Sequence, residues 1–257
     1  MNITDFSIKS KTTRQNDMLL PKNIRALIIG KSNCGKTTLL MNLLLKPWLD
    51  YNNLMIFGNS LHQSEYQILK KGFESGLSKQ QISNLFTNQD KIPENSSPLE
   101  IINEYEGPKS DIQASFYDDC SLIPDPSSLD SNMKNLLILD DCFLGPQSKA
   151  ESFYTRGRHS NCDIFYISQN YFRLPRSTIR ENANLIMIFN QDARNINFLH
   201  QDHASDLSSD EFKKLCHKIW LKKHNFLTID LTSDIYNGKY RKNLDSFYFP
   251  LSLTNRT

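Results

Sequence analysis

The chain has 257 residues, of which 39% are hydrophobic and 23% charged, and its formal net charge is +2. This composition supports a folded core and excludes a disordered polymer, since disordered chains combine low hydrophobicity with high net charge. No apolar run approaches the ~20 residues that span a bilayer, and the first residues lack the apolar core of a secretory signal. We expect a soluble, intracellular protein with no membrane segment and no secretion.

The first third of the chain predicts alternating strands and helices. Residues 1–24 are mostly polar and are interpreted as an N-terminal lead-in arm. Short apolar runs predict strands, and apolar residues three and four positions apart predict helices. In chain order these are strand 25–30, helix 36–45 ending before Pro47, strand 53–57, and one or two helices over 64–88.

An acidic segment with five prolines covers residues 89–130. It has ten acidic residues against two lysines, a net charge of −8, so the rest of the chain carries +10. We interpret it as a loop-rich insertion that contains one short helix and the strand 113–117. Two interpretations of the uneven charge stay open: two solvated surfaces of opposite sign, or a basic face that binds a polyanion.

The second half predicts a mainly parallel sheet. Three apolar runs, 135–140, 163–168 and 185–189, are separated by helical stretches, a pattern typical of parallel strands covered by helices on both faces. After a helix at 208–222, a strand at 226–231 and the flanks of Asn237-Gly238 predict a C-terminal hairpin over 226–250, because Asn-Gly favours a tight two-residue turn. We interpret residues 25–257 as a single domain.

The cysteines and histidines give two weaker signals. Five scattered cysteines without a CxxC pair predict reduced thiols rather than disulfides; they are Cys34, Cys120, Cys142, Cys162 and Cys216. Cys216-His217 follows His200 and His203, which superficially suggests metal ligands. The spacing fits no common zinc site, so residues on ordinary amphipathic helices are the preferred interpretation.

Residues 30–37, GKSNCGKT, match the phosphate-binding pattern GxxxxGK[ST] between a strand and a helix. Glycines let the loop turn its backbone N–H groups toward phosphate oxygens, and the helix adds its positive end. Lys36 is predicted to reach the β and γ phosphates of ATP, and Thr37 to ligate Mg²⁺. A glycine turn in an unrelated α/β protein is the alternative. The predicted nucleotide-binding residues are Gly30, Lys31, Ser32, Asn33, Cys34, Gly35, Lys36, Thr37 and Thr38.

The run NLLILDDC at 135–142 is an apolar strand that ends in two carboxylates, as in a Walker B motif. Asp140 is predicted to hold Mg²⁺ and Asp141 to act as the general base that polarises the attacking water. A strand that ends in an ordinary Asp-Asp turn is the alternative. The phosphate-binding pattern at residues 30–37, known as a Walker A motif, favours the catalytic interpretation.

Two further features complete the predicted catalytic set. Gln169 directly follows the strand 163–168. At this position additional-strand P-loop ATPases place a polar residue that contacts the γ-phosphate or the attacking water. A role in capping the turn is the alternative. Arg156 and Arg158 flank Gly157, and an arginine given in trans to a neighbouring subunit stabilises the transition state. Solvated arginines at a helix end are the alternative, and Arg158 is preferred over Arg156.

The motifs GKSNCGKT, LLILDDC and TRGRHSNCDIFYISQNYFRLPRSTIRENANLIMIF together resemble the FtsK/HerA superfamily. Within it they are most similar to the poxvirus-type genome-packaging ATPases, a branch also found in giant viruses, virophages and polinton transposons. The resemblance covers about residues 22–250. One departure is Asp141, where many relatives have Glu.

The resemblance implies a RecA-like sheet of the additional-strand type, with the P-loop strand central. It implies a homo-oligomeric ring, a pentamer or hexamer, that hydrolyses ATP with Mg²⁺ and drives double-stranded DNA into a preformed capsid. Capsid vertex proteins are then partners, and the protein is expected in the host cytoplasm or a viral factory, with association with the virion. A similar Gly-Arg turn in conjugative coupling proteins assigns the trans-acting arginine to Arg158. The short chain is expected to consist of the motor domain, without a separate membrane or DNA-reading domain.

Basic residues in three places are candidates for DNA contact, with solvated surface or subunit contact as the alternative. Neutralised phosphates would make the affinity fall with salt. The candidates are Arg173, Arg176 and Arg180; Lys213, Lys214, Lys218, Lys222 and Lys223; and the turn Lys239-Tyr240-Arg241-Lys242.

Two other functions remain open. A regulatory GTPase switch requires an Asn-Lys-x-Asp element after a late strand, but FNQDARN at 189–195 has Gln in place of Lys and the wrong Asp spacing. A non-catalytic scaffold or capsid-vertex protein would bind nucleotide for assembly only. The two acids at 140 and 141 argue against it.

Overall fold

A nine-stranded sheet runs through the computed structural model, which describes residues 19–87, 97–144 and 147–249. The lead-in up to residue 18, residues 89–96 of the acidic segment and residue 250 of the predicted hairpin lie outside the described residues. The strands are β1 Arg25–Ile29, β2 Asn53–Gly58, β3 Gln113–Tyr117, β4 Asn135–Asp140, β5 Cys162–Ser168, β6 Leu185–Ile188, β7 Leu227–Asp230, β8 Tyr240–Lys242 and β9 Ser246–Tyr248.

The strand order is β3-β2-β4-β5-β1-β6-β7-β8-β9. The first six strands in this order are parallel, and β7, β8 and β9 add antiparallel pairs at one edge. The strand β5 lies between β1, which leads into the P-loop, and β4, which ends in the two carboxylates. This insertion is the additional-strand arrangement, so the predicted fold class is confirmed.

Helices cover both faces of the sheet. Alternate residues of the central strands pack against α1 to α4 on one face and against α5 to α7 on the other, because successive side chains of a strand point to opposite sides. The helices are α1 Lys36–Leu45, α2 Ser64–Glu74, α3 Lys79–Thr87, α4 Pro98–Asn103, α5 Gln147–Arg156, α6 Ala193–His203 and α7 Ser209–Trp220. Among the described residues, none of the helices has the length and apolar character needed to cross a membrane.

Local signals explain where several elements begin and end. The helix α7 begins at a capping box in which Ser208 and Glu211 satisfy each other's backbone N–H groups. The helix α1 ends before Pro47, as predicted, and the predicted strands 113–117 and 135–140 have the predicted bounds. Each signal lies within a few residues of the boundary that it sets.

The predicted two-residue hairpin turn at Asn237-Gly238 is wrong. The strands β7 and β8 do pair antiparallel, but a nine-residue connection joins Asp230 to Tyr240. Within it the Asp234 side chain accepts hydrogen bonds from the N–H groups of Tyr236 and Asn237, at 2.8 and 2.9 Å. This local bonding makes a wider turn, and Gly238 closes it with a left-handed φ of +89°.

The prediction that all cysteines are reduced is also wrong, because Cys120 and Cys142 form a disulfide with Cα atoms 5.8 Å apart. Cys120 lies just beyond β3 and Cys142 just beyond β4, and both strands flank β2. Their carboxyl ends therefore meet at one edge of the sheet. The 22-residue separation forms no local pattern that could have indicated the pair.

Candidate functional site

A cleft of about 380 Å³ opens at the carboxyl ends of β1, β4 and β5. In an open parallel sheet this edge is where ligands bind. The cleft brings the P-loop, the two strand-terminal acids and Gln169 together. Its lining residues are Ser32, Asn33, Gly35, Lys36, Thr37, Thr38, Ser60, Gln63, Glu65, Asp140, Asp141, Ile167, Ser168, Gln169 and His224.

The P-loop is wound so tightly that two of its positions require glycine. A Cβ on Gly30 would lie 2.3 Å from Cys34 Sγ and 2.9 Å from Phe189 Cβ, and Gly35 has a φ of +110°. The Lys36 ammonium donates to the carbonyl oxygens of Gly30 at 2.6 Å and Lys31 at 2.9 Å. The loop therefore surrounds a positive charge next to the N-terminus of α1, an arrangement suited to phosphate.

The buried carboxylate of Asp140 lies at the base of the cleft. The Tyr66 hydroxyl donates to Asp140 Oδ2 at 2.5 Å. Burial raises the pKa of Asp140, as does the neighbouring Asp141, while the Tyr66 hydrogen bond and the Lys36 charge lower it. Burial also raises the pKa of Tyr66, so this hydroxyl stays protonated as a donor. A buried carboxylate beside a threonine hydroxyl offers the oxygen ligands that Mg²⁺ prefers.

Asp141 is connected to the P-loop through Gln169. Gln169 Nε2 donates to Asp141 Oδ2 at 3.3 Å, and the Ser32 hydroxyl donates to Gln169 Oε1 at 3.4 Å. The backbone of Asp141 is left-handed, with a φ of +55°, and Asn59 Nδ2 donates to its carbonyl oxygen at 3.2 Å. This geometry turns the carboxylate into the cleft and makes a short polar path from β4 through β5 to the P-loop.

Among the residues at this edge that were not predicted from the sequence, Tyr66, Asn59 and His224 contact predicted site residues. His224 Nδ1 lies 3.0 Å from the Cys34 carbonyl oxygen, so the segment before β7 contacts the P-loop. No sequence signal pointed to these residues, since each reaches the site from a distant element. The contact between Tyr66 and Asp140 forms only when α2 packs on the sheet, so the sequence alone does not indicate it.

Arg173, predicted as a DNA contact, lies at the same edge as Asp141. Both line a second cavity of about 450 Å³ together with Lys31 and Gln169. The guanidinium carbon of Arg173 lies 5.8 Å from the centre of the Phe143 ring. A cation so close to the carboxylate and the P-loop adds to the positive potential of the site.

Arg156 and Arg158 lie away from the cleft of their own chain, at the amino end of β5. Arg156 Nη2 pairs with Asp125 Oδ2 at 3.3 Å and donates to Ser152 Oγ at 3.2 Å. Arg158 is exposed, and its guanidinium has no hydrogen bond or ion pair with any residue of the described ranges. Burial lowers the pKa of Arg25, and the nearby charge of Arg158 lowers it further, which locates Arg158 beside the start of β1.

Three predicted DNA contacts are wrong because the side chains are buried. Arg180 Nη1 pairs with Asp202 Oδ2 at 2.8 Å in the interior, and Tyr240 is fully buried. Lys239 is half-buried and pairs with Asp206 at 2.8 Å. Arg241 is buried and pairs with Asp230. Lys213 is half-buried. The candidates that remain exposed are Arg173, Arg176, which also pairs with Glu181 and Asp202, Lys214, Lys218, Lys222, Lys223 and Lys242.

Breaking the Arg241–Asp230 pair is expected to destabilise the fold. Replacing Asp230 with Ala should lower the free energy of unfolding by about 3–5 kcal/mol, because it leaves a buried guanidinium without its counter-charge. Urea denaturation would measure the loss, with Lys242→Ala, an exposed neighbour on β8, as the control. A loss below ~1 kcal/mol would contradict the structural role of the pair.

The Cys and His cluster does not converge on a point. Cys216 is buried while His217 is exposed, so the two neighbours point apart. His200 Nε2 lies 2.8 Å from the Leu207 carbonyl oxygen, and burial lowers the pKa of His203 to about 4. These contacts are those of ordinary helix residues that face or flank the core.

Comparisons with known proteins identify the fold. No family model matches the sequence, and no curated protein matches it either. The chain is similar to the genome packaging NTPase B204 from Sulfolobus turreted icosahedral virus 2. The structure in complex with AMP is 13% identical with a TM-score of 0.52, over 90% of this chain and 99% of that chain. The structure with sulfate is 14% identical with a TM-score of 0.52 and the same coverage.

A third B204 structure, in complex with ATP-gammaS, is 15% identical with a TM-score of 0.51, over 83% of this chain and 95% of that chain. At these identities the likeness shows the fold. It confirms the predicted RecA-like P-loop NTPase fold with its mainly parallel sheet.

Proposed function

We propose that this chain, which has the fold of a RecA-like P-loop ATPase, hydrolyses ATP to move double-stranded DNA and packages a viral genome into a preformed capsid. The observation that carries the proposal is the cleft that Lys36, Asp141 and Gln169 line together, in which Gln169 donates to the Asp141 carboxylate. The similarity to B204, a genome packaging NTPase that is bound to AMP in one structure, supports the same activity.

The P-loop is proposed to hold the triphosphate. Its backbone N–H groups and the N-terminus of α1 would bind the phosphate oxygens, and the Lys36 ammonium would leave its two carbonyl partners for the β and γ phosphates. The Thr37 hydroxyl and Asp140 would hold Mg²⁺, since both line the cleft. When bound, this ion would neutralise charge on the phosphate oxygens.

Asp141 is proposed to act as the general base. Its carboxylate would accept a proton from the attacking water as the water oxygen forms a bond to the γ-phosphorus. The bond from that phosphorus to the β–γ bridging oxygen breaks, and ADP leaves with those electrons. Gln169, already bonded to Asp141 Oδ2 at 3.3 Å, would orient the same water. The side-chain amide cannot take up the proton, so the two residues have different roles.

A ring completes the proposed site. Arg158 is exposed near the amino ends of β1 and β5, whereas the cleft lies at their carboxyl ends. It therefore cannot reach the phosphates of its own chain. In a head-to-tail ring this edge of one subunit can face the cleft of the next. The guanidinium would then stabilise the charge of the transferring phosphoryl group. Capsid vertex proteins are proposed as the partners that anchor the ring.

The exposed lysines of α7 and of the segment that follows it are proposed to bind DNA. Lys218, Lys222 and Lys223 are exposed, and Lys222 and Lys223 line a small cavity next to the P-loop residues Lys31 and Ser32. A DNA-binding surface at this position would lie next to the nucleotide bound by the P-loop. Binding through phosphates would weaken as salt rises, because counterions compete for the same sites.

The test is the ATPase rate with and without double-stranded DNA, at several salt concentrations. The assembled protein is expected to hydrolyse ATP faster with DNA, and the stimulation should fall as salt rises. The triple variant Lys218→Ala, Lys222→Ala, Lys223→Ala should lose stimulation, with Lys70→Ala and Lys71→Ala on α2 as the control. A ring whose rate is indifferent to DNA would contradict the translocase. No turnover at all would favour the scaffold.

Removing the Tyr66 hydroxyl is expected to change the pH dependence of hydrolysis. The hydroxyl lowers the pKa of Asp140, so Tyr66→Phe should raise that pKa further. Ionised Asp140 would then exist only at higher pH, so the acidic limb of the activity profile should move to higher pH. Tyr154→Phe is the matched control, because it removes a buried hydroxyl that donates a hydrogen bond to the Ala26 carbonyl oxygen. An unmoved limb would argue against Asp140 as the metal ligand.

A further inference from the structure

The second cavity, the space of about 450 Å³ that Arg173 lines, adjoins the phosphate cleft. Asp141, Ser168 and Gln169 line both spaces, so the two meet at the proposed general base. Residues of α1 line the cleft, but none of them lines the second cavity. An ion that leaves the γ-phosphate position therefore has this cavity as an immediate neighbour, while the rest of the nucleotide stays on the P-loop and α1.

The charged groups of the second cavity balance when all of them are ionised. Its two cations are Lys31 from the P-loop and Arg173 from the segment after β5, and its two carboxylates are Asp141 and Asp192. Asp192 caps α6, and both of its carboxylate oxygens accept hydrogen bonds from Asn195. The positive end of that helix offsets the Asp192 charge further. Asp141 is therefore the acid whose protonation changes the charge of the cavity most directly.

Two buried polar atoms on residues that line the second cavity have no hydrogen-bond partner within the described part of the chain. One is a donor, Nε2 of Gln191, a residue that is only 6% exposed, and the other is an acceptor, Oδ1 of the half-buried Asn170. Such atoms cost free energy unless a ligand satisfies them. A ligand that accepts at one point and donates at another matches the pair. Hydrogen phosphate has both features, since it carries acceptor oxygens and one O–H group.

The proposed hydrolysis forms that ion at the entrance of the second cavity. The water oxygen bonds to the γ-phosphorus, the bond to the bridging oxygen breaks, and Asp141 takes one proton of the water. The products are ADP, the hydrogen phosphate dianion and neutral Asp141. With that carboxylate neutral, Lys31, Arg173 and Asp192 leave the lining with a formal charge of +1. The cavity becomes electropositive in the same step that produces the dianion.

We propose that the second cavity binds the inorganic phosphate released by hydrolysis while ADP remains on the P-loop. The inference rests on the proposed function and adds a product site to it. Lys31 and Arg173 pair with phosphate oxygens, Gln191 Nε2 donates to another, and Asn170 Oδ1 accepts from the phosphate O–H. When Asp141 then gives its proton to solvent water, the restored carboxylate repels the dianion and favours its release.

Calorimetric titration of the full chain, saturated with ADP and Mg²⁺, with inorganic phosphate tests the proposal. The wild type should bind one phosphate per chain. Arg173→Ala should weaken phosphate binding by about 10-fold and leave the ADP affinity unchanged, because it removes a charged donor from the second cavity only. Arg173→Lys, which keeps the charge, should retain most of the phosphate affinity. Arg194→Ala is the matched control, because Arg194 is an exposed arginine near the same cavity but lines neither space.

Two further measurements test the buried amides. Gln191→Glu replaces the donor with a carboxylate of the same size, so it should weaken phosphate binding more than Arg173→Ala does. Arg173 is exposed, so its variants keep the test decisive even where Gln191→Glu fails to fold. Sulfate is a tetrahedral dianion without an O–H group, and it should bind to the wild type about fivefold more weakly than phosphate. Equal affinities for the two ions would overturn recognition through the phosphate O–H.

The other outcomes separate the product site from the P-loop. A wild-type ADP complex that binds no phosphate would overturn the product site and leave the proposed function standing. Undiminished phosphate binding in both Arg173→Ala and Gln191→Glu would also overturn it, since the ion would then lie elsewhere. So would an equal loss of ADP and phosphate affinity, because a disturbed P-loop would explain it. A wild-type chain that neither binds ADP nor hydrolyses ATP would overturn the proposed function as well.

Discussion

Replacing Asp141 with Asn is expected to lower kcat for ATP hydrolysis by about 10²–10⁴-fold and to leave ATP binding nearly unchanged. The amide has almost the same shape, so it can keep the contact with Gln169 at this position. It cannot accept the proton of the attacking water. The loss should therefore fall on kcat rather than on the affinity for ATP, because Asp141 contributes to the chemical step and not to the cradle of the phosphates.

Steady-state kinetics and ATP titration of the same preparation measure this prediction. Lys36→Ala is the contrasting variant and should lose ATP binding as well as hydrolysis, since its ammonium is the positive charge enclosed by the P-loop. Asp118→Asn, an exposed acid outside the cleft, should behave as wild type. An Asp141→Asn protein with an undiminished rate would show that another group takes the proton.

The second large effect is expected at Arg158. Arg158→Ala should lower kcat by about 10³–10⁵-fold while each subunit still binds ATP, because the guanidinium would act on the phosphates of a neighbour. Arg156→Ala should have a much smaller effect, since that side chain is tied to Asp125 and Ser152. The two arginines are two residues apart in the sequence, so they form a matched pair.

Mixing two inactive proteins tests whether the arginine acts in trans. Lys36→Ala subunits lack a working phosphate site but carry Arg158, and Arg158→Ala subunits have the reverse defect. In mixed rings an Arg158→Ala subunit can receive the arginine of a Lys36→Ala neighbour, so part of the activity should return. Sedimentation of each variant would establish that the rings still assemble. Mixed rings with no activity beyond that of the separate proteins would place the arginine's action elsewhere.

The Walker A and Walker B elements could be predicted because their signals are local. Glycine spacing, the apolar strand before it and the helix after it all lie within residues 25–45, and the structure places α1 at the predicted bounds. The strand 135–140 and its terminal acids are likewise determined by a continuous apolar run. The alternation of such strands with helices was sufficient to predict a parallel sheet covered on both faces.

The basic candidates show where local patterns fail. Arg158 and Arg180 both lie in the sequence motif that carries the family resemblance, yet one is exposed and the other buried against Asp202. Arg241 and Lys242 are adjacent, yet they point to opposite sides of β8. Charge along a sequence does not reveal burial, because the partner that neutralises a buried cation comes from another element.

The sequence by itself determined the strand–helix alternation, the phosphate loop, the paired acids and the polar end of β5, because each depends on residues within one turn or one strand. The tertiary structure decided which of these groups meet. Tyr66 and Asp140 are 74 residues apart, Ser32 and Gln169 are 137 apart, and His224 and Cys34 are 190 apart.

The same holds for the Cys120–Cys142 pair, whose cysteines follow two strands that lie on either side of β2. The physical reason is that such contacts depend on the order of strands in the sheet. That order minimises the free energy of the whole core and leaves no pattern in any short stretch of residues.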